Sequence, residues 1–208
     1  MCVNLFNRYE NLMVCKEDIL KAIDAIVTCY KNGGKILVCG NGGSSADSAH
    51  IVGELLKGFM SKRPLGDEMK EKLISVNGEH GGLMAEKLQG SLPAVDLTAM
   101  QSIISAVAND TDPVLAYAQQ VIGLGKPGDV LIGLSTSGNA ANVLCAGIAA
   151  KAQGLITVAL TGRNGGKMKS LFDIAITVPA DSTPDVQELH LPVYHAICEE
   201  VEKEMFGR

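Results

Sequence analysis

The chain has 208 residues, 47% of them hydrophobic and 20% charged, which suits one large core and excludes a disordered polypeptide. Its formal net charge is −5, with no run of Lys or Arg; that argues against a nucleic-acid partner, and any bound phosphate must be held by local donors. Six scattered cysteines (Cys2, Cys15, Cys29, Cys39, Cys145 and Cys198) form no CxxC pair and read as reduced thiols of a cytoplasmic protein. No apolar run approaches the ~20 residues of a membrane span, and the N-terminus lacks the basic start and apolar stretch of a signal peptide.

In chain order, Leu5, Tyr9, Leu12, Ile19, Ile23, Ile26 and Tyr30 follow helical spacing, with Gly33-Gly34 as the stop. Such a long stripe ahead of the first strand reads as an oligomer-forming helix, the alternative being a helix packed within the chain. Five short apolar runs of strand character follow, at 35–39, 94–97, 129–134, 156–160 and 173–178. Helical patterns at 44–57, 98–108, 140–152 and 167–171 lie between most of them, so the fold class is α/β, with a parallel sheet covered on both faces. A last helical stretch runs from 184 to 206 and should be interrupted and kinked at Pro192. Residues 65–92, rich in Lys, Glu and Gly, read as an inserted surface excursion or a lid, with His80 on a surface loop. The whole chain, 1–208, reads as one domain.

Four patterns carry chemistry. Gly40-Asn41-Gly42-Gly43-Ser44-Ser45 follows a strand and opens a helix; its glycines allow close backbone approach, and the helix start can face an anion. An ordinary capped turn would look the same. Ser135-Thr136-Ser137-Gly138-Asn139 repeats that arrangement with three consecutive hydroxyls, and both turns fall at strand C-terminal ends, where open α/β sheets bind ligands. On the helix after the first turn, His50 and Glu54 are four apart and share a face, fit for one metal ion or substrate, or for a plain surface hydrogen bond. Asp47, on the same stripe, can orient His50. Gln187 and His195 lie about two turns apart near one face of the last helix; His190, amid apolar residues, has no assigned role.

These motifs recur in order with Arg63-Pro64, Asn109-Asp110, Gly128-Asp129-Val130-Leu131, and Leu160-Thr161-Gly162 with Gly165-Gly166-Lys167-Met168. Together they resemble the phosphoheptose isomerase (sedoheptulose 7-phosphate isomerase) family of SIS-domain proteins, over nearly the whole chain except 65–92. The resemblance implies a single SIS domain with a Rossmann-like five-stranded parallel sheet flanked by helices, assembled as a homotetramer with active sites at subunit interfaces. It implies zinc on His50, Glu54, Gln187 and His195. Substrate contacts would fall on Asn41, Gly42, Gly43, Ser44, Glu54, Asn109, Asp110, Ser135, Thr136, Ser137 and Gln187. Glu54 would be the base and His195 the acid of a ketose-to-aldose proton transfer on a phosphorylated sugar. Three positions depart from the family pattern: Ala140 replaces a further serine, Gly58 a basic residue for which the adjacent Lys57 is the candidate substitute, and Asp185 an arginine. Two other readings stay open, a non-catalytic SIS phosphosugar-binding regulator and an SIS isomerase for another sugar phosphate; the joint presence of Glu54 and His195 favours the enzyme.

Overall fold

The computed structural model describes residues 2–207. The apolar runs become five parallel strands, β1 (Ile36–Cys39), β2 (Ala94–Asp96), β3 (Val130–Leu134), β4 (Ile156–Thr161) and β5 (Ile174–Thr177), in the order β2-β1-β3-β4-β5. Val38 pairs with Asp96 on one side and Ile132 on the other, and Leu134 pairs with Leu160. Every residue of β1 and β3 is buried, because helices cover both faces of the sheet.

Side-chain alternation divides the core in two. Ile36 and Val38 face a cluster built with α2 (Lys16–Lys31), α3 (Gly43–Leu56) and α10 (Thr183–Phe206), whereas Leu37 and Cys39 face one containing Tyr117 and Val121 of α7 (Ala116–Leu124) and Val143 and Ala146 of α8 (Ala141–Ala152). The periodicity above does not name α7, although Tyr117, Val121 and Leu124 have helical spacing. The remaining helices are α1 (Val3–Arg8), α4 (Asp67–Val76), α5 (Gly78–Lys87), α6 (Gln101–Asp110) and the single turn α9 (Met168–Leu171), with short 3-10 turns at Glu10–Cys15 and Pro113–Leu115.

The N-terminal stripe differs from the expected single helix. Tyr9, at φ −132° and ψ 73°, separates α1 from the 3-10 turn that leads into α2. Leu5, Leu12, Ile19, Ile23, Ile26 and Tyr30 are all buried in the chain's own core, so this stripe is consumed internally and does not itself require a partner. Residues 65–92 form an ordered excursion in which α4 and α5 pack so closely that a Cβ on Gly81 would lie 2.0 Å from the Leu73 carbonyl oxygen. Asn77 caps α5 by accepting from the His80 N–H at 2.9 Å, so His80 sits in a helix rather than a loop. An antiparallel bridge between Pro64 and Gln89 closes the base. The last helix is not interrupted: α10 is one helix of 24 residues with Pro192 inside it.

Candidate active site

The strand order makes β1 and β3 neighbours while β2 lies on the far side of β1. The chain therefore reverses its winding between β1 and β3, and such a switch point opens a crevice at the strand C-terminal ends. Both sequence turns lie there. After β1, Gly42 takes φ +56° and ψ −121°, a backbone shape that side chains disfavour. The N–H groups of Ser44 and Ser45 donate back to Asn41 and Gly42, each at 3.0 Å, closing the turn that starts α3. After β3, Ser135 is buried, Thr136 half-buried and Ser137 exposed, giving graded access to three hydroxyls.

Two residues that the sequence reading did not single out support these turns: Asn142 links the helix after the second turn to the first, and Tyr117 holds the first. The side-chain amides of Asn41 and Asn142 exchange two hydrogen bonds, at 2.9 and 2.8 Å, and the Tyr117 hydroxyl donates to the Gly40 carbonyl at 2.7 Å. The only sequence cue was a polar residue in the first turn of α8, which is otherwise apolar up to Lys151. The glycine motif at 162–166 acts as a support. A Cβ on Gly138 (φ +66°) would lie 2.0 Å from the Gly165 carbonyl oxygen, and the Gly162 N–H donates to the Thr136 carbonyl at 2.9 Å. Backbone therefore packs directly on backbone and fixes the hydroxyl loop. A cleft of about 270 Å³ runs past Thr136, Ser137, Asn139 and Arg163, whose guanidinium pairs with Asp181 at 3.0 Å.

The second half of the site lies between α3 and α10, which run alongside each other in parallel register. Gly43 faces Gln187, and a Cβ there would lie 2.5 Å from Gln187 Nε2; two turns on, His50 faces Tyr194 and His195. His50 Nε2 lies 3.1 Å from Glu54 Oε1 and 3.4 Å from His195 Nε2, and the ligand atoms of the three residues are all within 4.8 Å of one another. Two imidazole nitrogens this close cannot both carry protons comfortably. Burial, reinforced by His50 and partly opposed by Glu54, lowers the pKa of His195, which favours the neutral form that a metal ligand needs. Two imidazoles and a carboxylate suit zinc. Gln187, the fourth expected ligand, lies on the same helix against the first glycine turn, and the structure brings the other three expected donors together.

Asp47 meets His50 through an intermediary. Tyr194 Oη is 3.2 Å from Asp47 Oδ1 and 3.0 Å from His50 Nδ1. Asp47 Oδ2 is buried without a hydrogen-bond partner among the described residues. Burial raises the Asp47 pKa, with the Tyr194 hydrogen bond and His50 opposing it.

Below the trio, Arg63 fastens the end of α3. It donates to the Leu55 and Glu54 carbonyls at 2.8 and 3.0 Å and to Glu202 Oε1 at 2.6 Å. Glu202 also accepts from the backbone N–H groups of Phe59, Met60 and Ser61. Although burial pushes the Glu202 pKa upward, these donors and Arg63 hold it below the usual carboxylate range. Glu202, like Tyr194, carried no sequence signal.

Asn109 and Asp110 end α6, are exposed, and hydrogen-bond to each other at 2.7 Å; none of their hydrogen bonds among the described residues reaches the other site residues. The departures have local explanations. A Cβ on Gly58 would lie 2.5 Å from the Ser61 carbonyl oxygen, so no basic side chain fits this turn, and Lys57 bonds the Gly58 carbonyl at 3.0 Å. Asp185 lies in the first turn of α10, where the helix dipole favours an acid, and its N–H is capped by Ser182 Oγ. Ala140 donates its N–H toward Ser135 Oγ at 3.4 Å, leaving that hydroxyl as the local donor.

A family profile described as SIS domain matches residues 7–70 and 72–162. A phosphoheptose isomerase of Akkermansia muciniphila is 37% identical over 205 residues, covering 99% of this chain and 95% of that protein. The structure of a phosphoheptose isomerase from Neisseria gonorrhoeae superposes with a TM-score of 0.75 at 34% identity, covering 94% of this chain and 91% of that one. One from Francisella tularensis gives 0.74 at 30% identity, covering 98% and 99%. This chain belongs to the phosphoheptose isomerase family of SIS-domain proteins.

Proposed function

We propose that the chain is an aldose–ketose isomerase that interconverts sedoheptulose 7-phosphate and glycero-manno-heptose 7-phosphate through an enediol. The observation that carries this reading is the clustering of His50, Glu54 and His195 on two helices that also border the Gly42–Gly43 turn. Gln187 and His195 are eight residues apart, about 12 Å along α10, so the interval from the turn to the trio suits an extended sugar phosphate.

Phosphate binding falls to the start of α3 at Gly42, Gly43 and Ser44 and to Ser135, Thr136 and Ser137, whose donors need no lysine. Asn41, Asn109, Asp110 and Gln187 serve the sugar hydroxyls. Glu54 turns Oε1 to His50, and its other oxygen removes the proton from C1 of the ketose and returns it to C2. His195 gives a proton to O2 and takes one from O1. Such positioned acid–base groups contribute ~10²–10⁴-fold each. His50, Glu54 and His195 would hold a zinc ion, with Gln187 as the fourth donor that the family resemblance implies, and the ion would supply Lewis-acid stabilisation of the developing enediolate.

Six free thiols, five of them buried, suit a reducing cytoplasm, and no helix among the described residues is long and apolar enough to cross a membrane. Assembly as a homotetramer agrees with the apolar side chains left exposed on α4 and α5, including Met69, Val76, Leu83 and Met84.

The test is NMR of metal-loaded protein with sedoheptulose 7-phosphate in deuterated water, with Glu54→Gln alongside. Aldose carrying deuterium at C2, absent with the variant, is the expected result. Wild-type protein that neither turns over nor exchanges label, on this sugar and on a panel of pentose and hexose phosphates, would sink the reading in favour of a binding protein.

A further inference from the structure

We propose that Asp47 and Tyr194 form a two-member relay that holds His50 as a metal ligand, with Tyr194 as the positioning residue in direct contact. The inference rests on the metal reading of the trio above and extends it to groups outside the donor set.

The argument starts from the two faces of the His50 ring. Nε2 points at Glu54 and His195, whereas Nδ1 lies 3.0 Å from Tyr194 Oη. A neutral imidazole has one protonated nitrogen and one lone pair. If Nε2 is to offer its lone pair to a cation, the proton must sit on Nδ1, and a fixed acceptor must face it. Tyr194 Oη can accept that proton only while its own hydrogen is directed elsewhere. Asp47 Oδ1, 3.2 Å from Oη, is a pure acceptor when ionised and supplies that direction. The order is therefore Nδ1–H to Oη, then Oη–H to the carboxylate.

Other features fit this assignment. Asp47 Oδ2 is buried without a hydrogen-bond partner among the described residues, and the side-chain hydrogen bond shown for this carboxylate is the one to Tyr194. The Tyr194 side chain is almost fully buried, at 2% exposure, and its ring meets His50 edge-on at 5.4 Å. Packing thus locks the hydroxyl in place before any ligand arrives. Tyr194 also immediately precedes His195, so one turn of α10 supplies both a donor and the group that orients its neighbour.

Zinc affinity of the full-length chain, measured by competition with a chromophoric chelator at neutral pH, tests this independently of turnover. Tyr194→Phe and Asp47→Asn should each weaken zinc binding by roughly 10–100-fold. The double variant should lose no more than the worse single one, because the two act in series. Near-ultraviolet circular dichroism of the zinc-free proteins should remain that of wild type. Unchanged zinc affinity in Tyr194→Phe overturns the relay, as does a loss in Tyr194→Phe with none in Asp47→Asn, which would leave a lone hydroxyl at work. His50→Ala provides the separate check: if it binds zinc as wild type does, the metal reading itself falls, whereas loss in His50→Ala with normal binding in both relay variants removes only the relay.

Discussion

Replacing Arg63 with Met should destabilise the protein and loosen the end of the helix that carries Glu54. The Arg63 side chain has 0% exposure and its partner Glu202 has 3%. Removing one member of a buried pair typically costs ~3–5 kcal/mol, because the other charge stays buried. Glu202 would keep three backbone N–H donors, which argues for the lower end, about 3 kcal/mol. The Glu54 carbonyl would lose the Arg63 donor, the Leu55 carbonyl would keep only the Leu92 N–H, and the guanidinium stacked 4.9 Å over the Phe206 ring would be lost, adding ~0.5–1 kcal/mol at a partly exposed ring. A total near 3–4 kcal/mol corresponds to a Tm drop of roughly 6–16 °C for a chain of this size. Urea titration at fixed protein concentration gives the difference directly. The pH dependence provides a second check. Because the folded Glu202 pKa is depressed, its contribution is present above the ordinary carboxylate range and is lost as pH falls through the folded value. The gap between wild type and variant should therefore narrow in acid. A difference below ~1 kcal/mol at neutral pH, or a gap that widens in acid, would refute the reasoning.

His190 is fully buried, and neither ring nitrogen has a hydrogen-bond partner of good geometry among the described residues. Burial lowers its pKa to about 4, opposed only in part by the nearby Thr161 backbone. Its stabilising effect is complete above the unfolded-state value and is lost as pH falls from ~6.5 toward 4, amounting to about 3 kcal/mol. In His190→Leu that component should vanish from a series of urea titrations between pH 7 and 4.5; an identical pH profile in the variant would contradict it. In Gly43→Ala, the new methyl meets the movable end of Gln187, so the fold should survive while kcat/KM falls on the order of 10–100-fold from displaced contacts. Gly43→Ala in a Gln187→Ala background should then have little further effect, which steady-state kinetics would show.

Local chemistry made much of the architecture legible. Short continuous apolar runs bounded by turn signals, such as 130–134, suit strands covered on both faces, and each glycine turn lies between a strand and a helix. His50 and Glu54 could be paired from their spacing, because four residues is about one helical turn and their contact is local. The hairpin of α4 and α5 was less legible: its apolar residues are largely left exposed, so they set no burial pattern and resemble a solvated stretch. The N-terminal stripe signalled burial correctly but not what would cover it, since a periodic apolar face is the same whether it meets its own sheet or another subunit.

By itself the sequence determined the parallel α/β class, the two strand-to-helix turns rich in glycine and serine, and one helix bearing a histidine and a carboxylate on the same face. Only the tertiary structure decided that α3 and α10 lie side by side, so that His195 joins a pair encoded 141 residues earlier. It also decided that Tyr194 stands between Asp47 and His50, that Asn142 links the helix after the second turn to the first, and that Gln187 rests on Gly43. The physical reason is one of range. Turn and helix periodicity arise from neighbours within a few residues, whereas the meeting of two helices is set by how their apolar faces share the same side of a sheet.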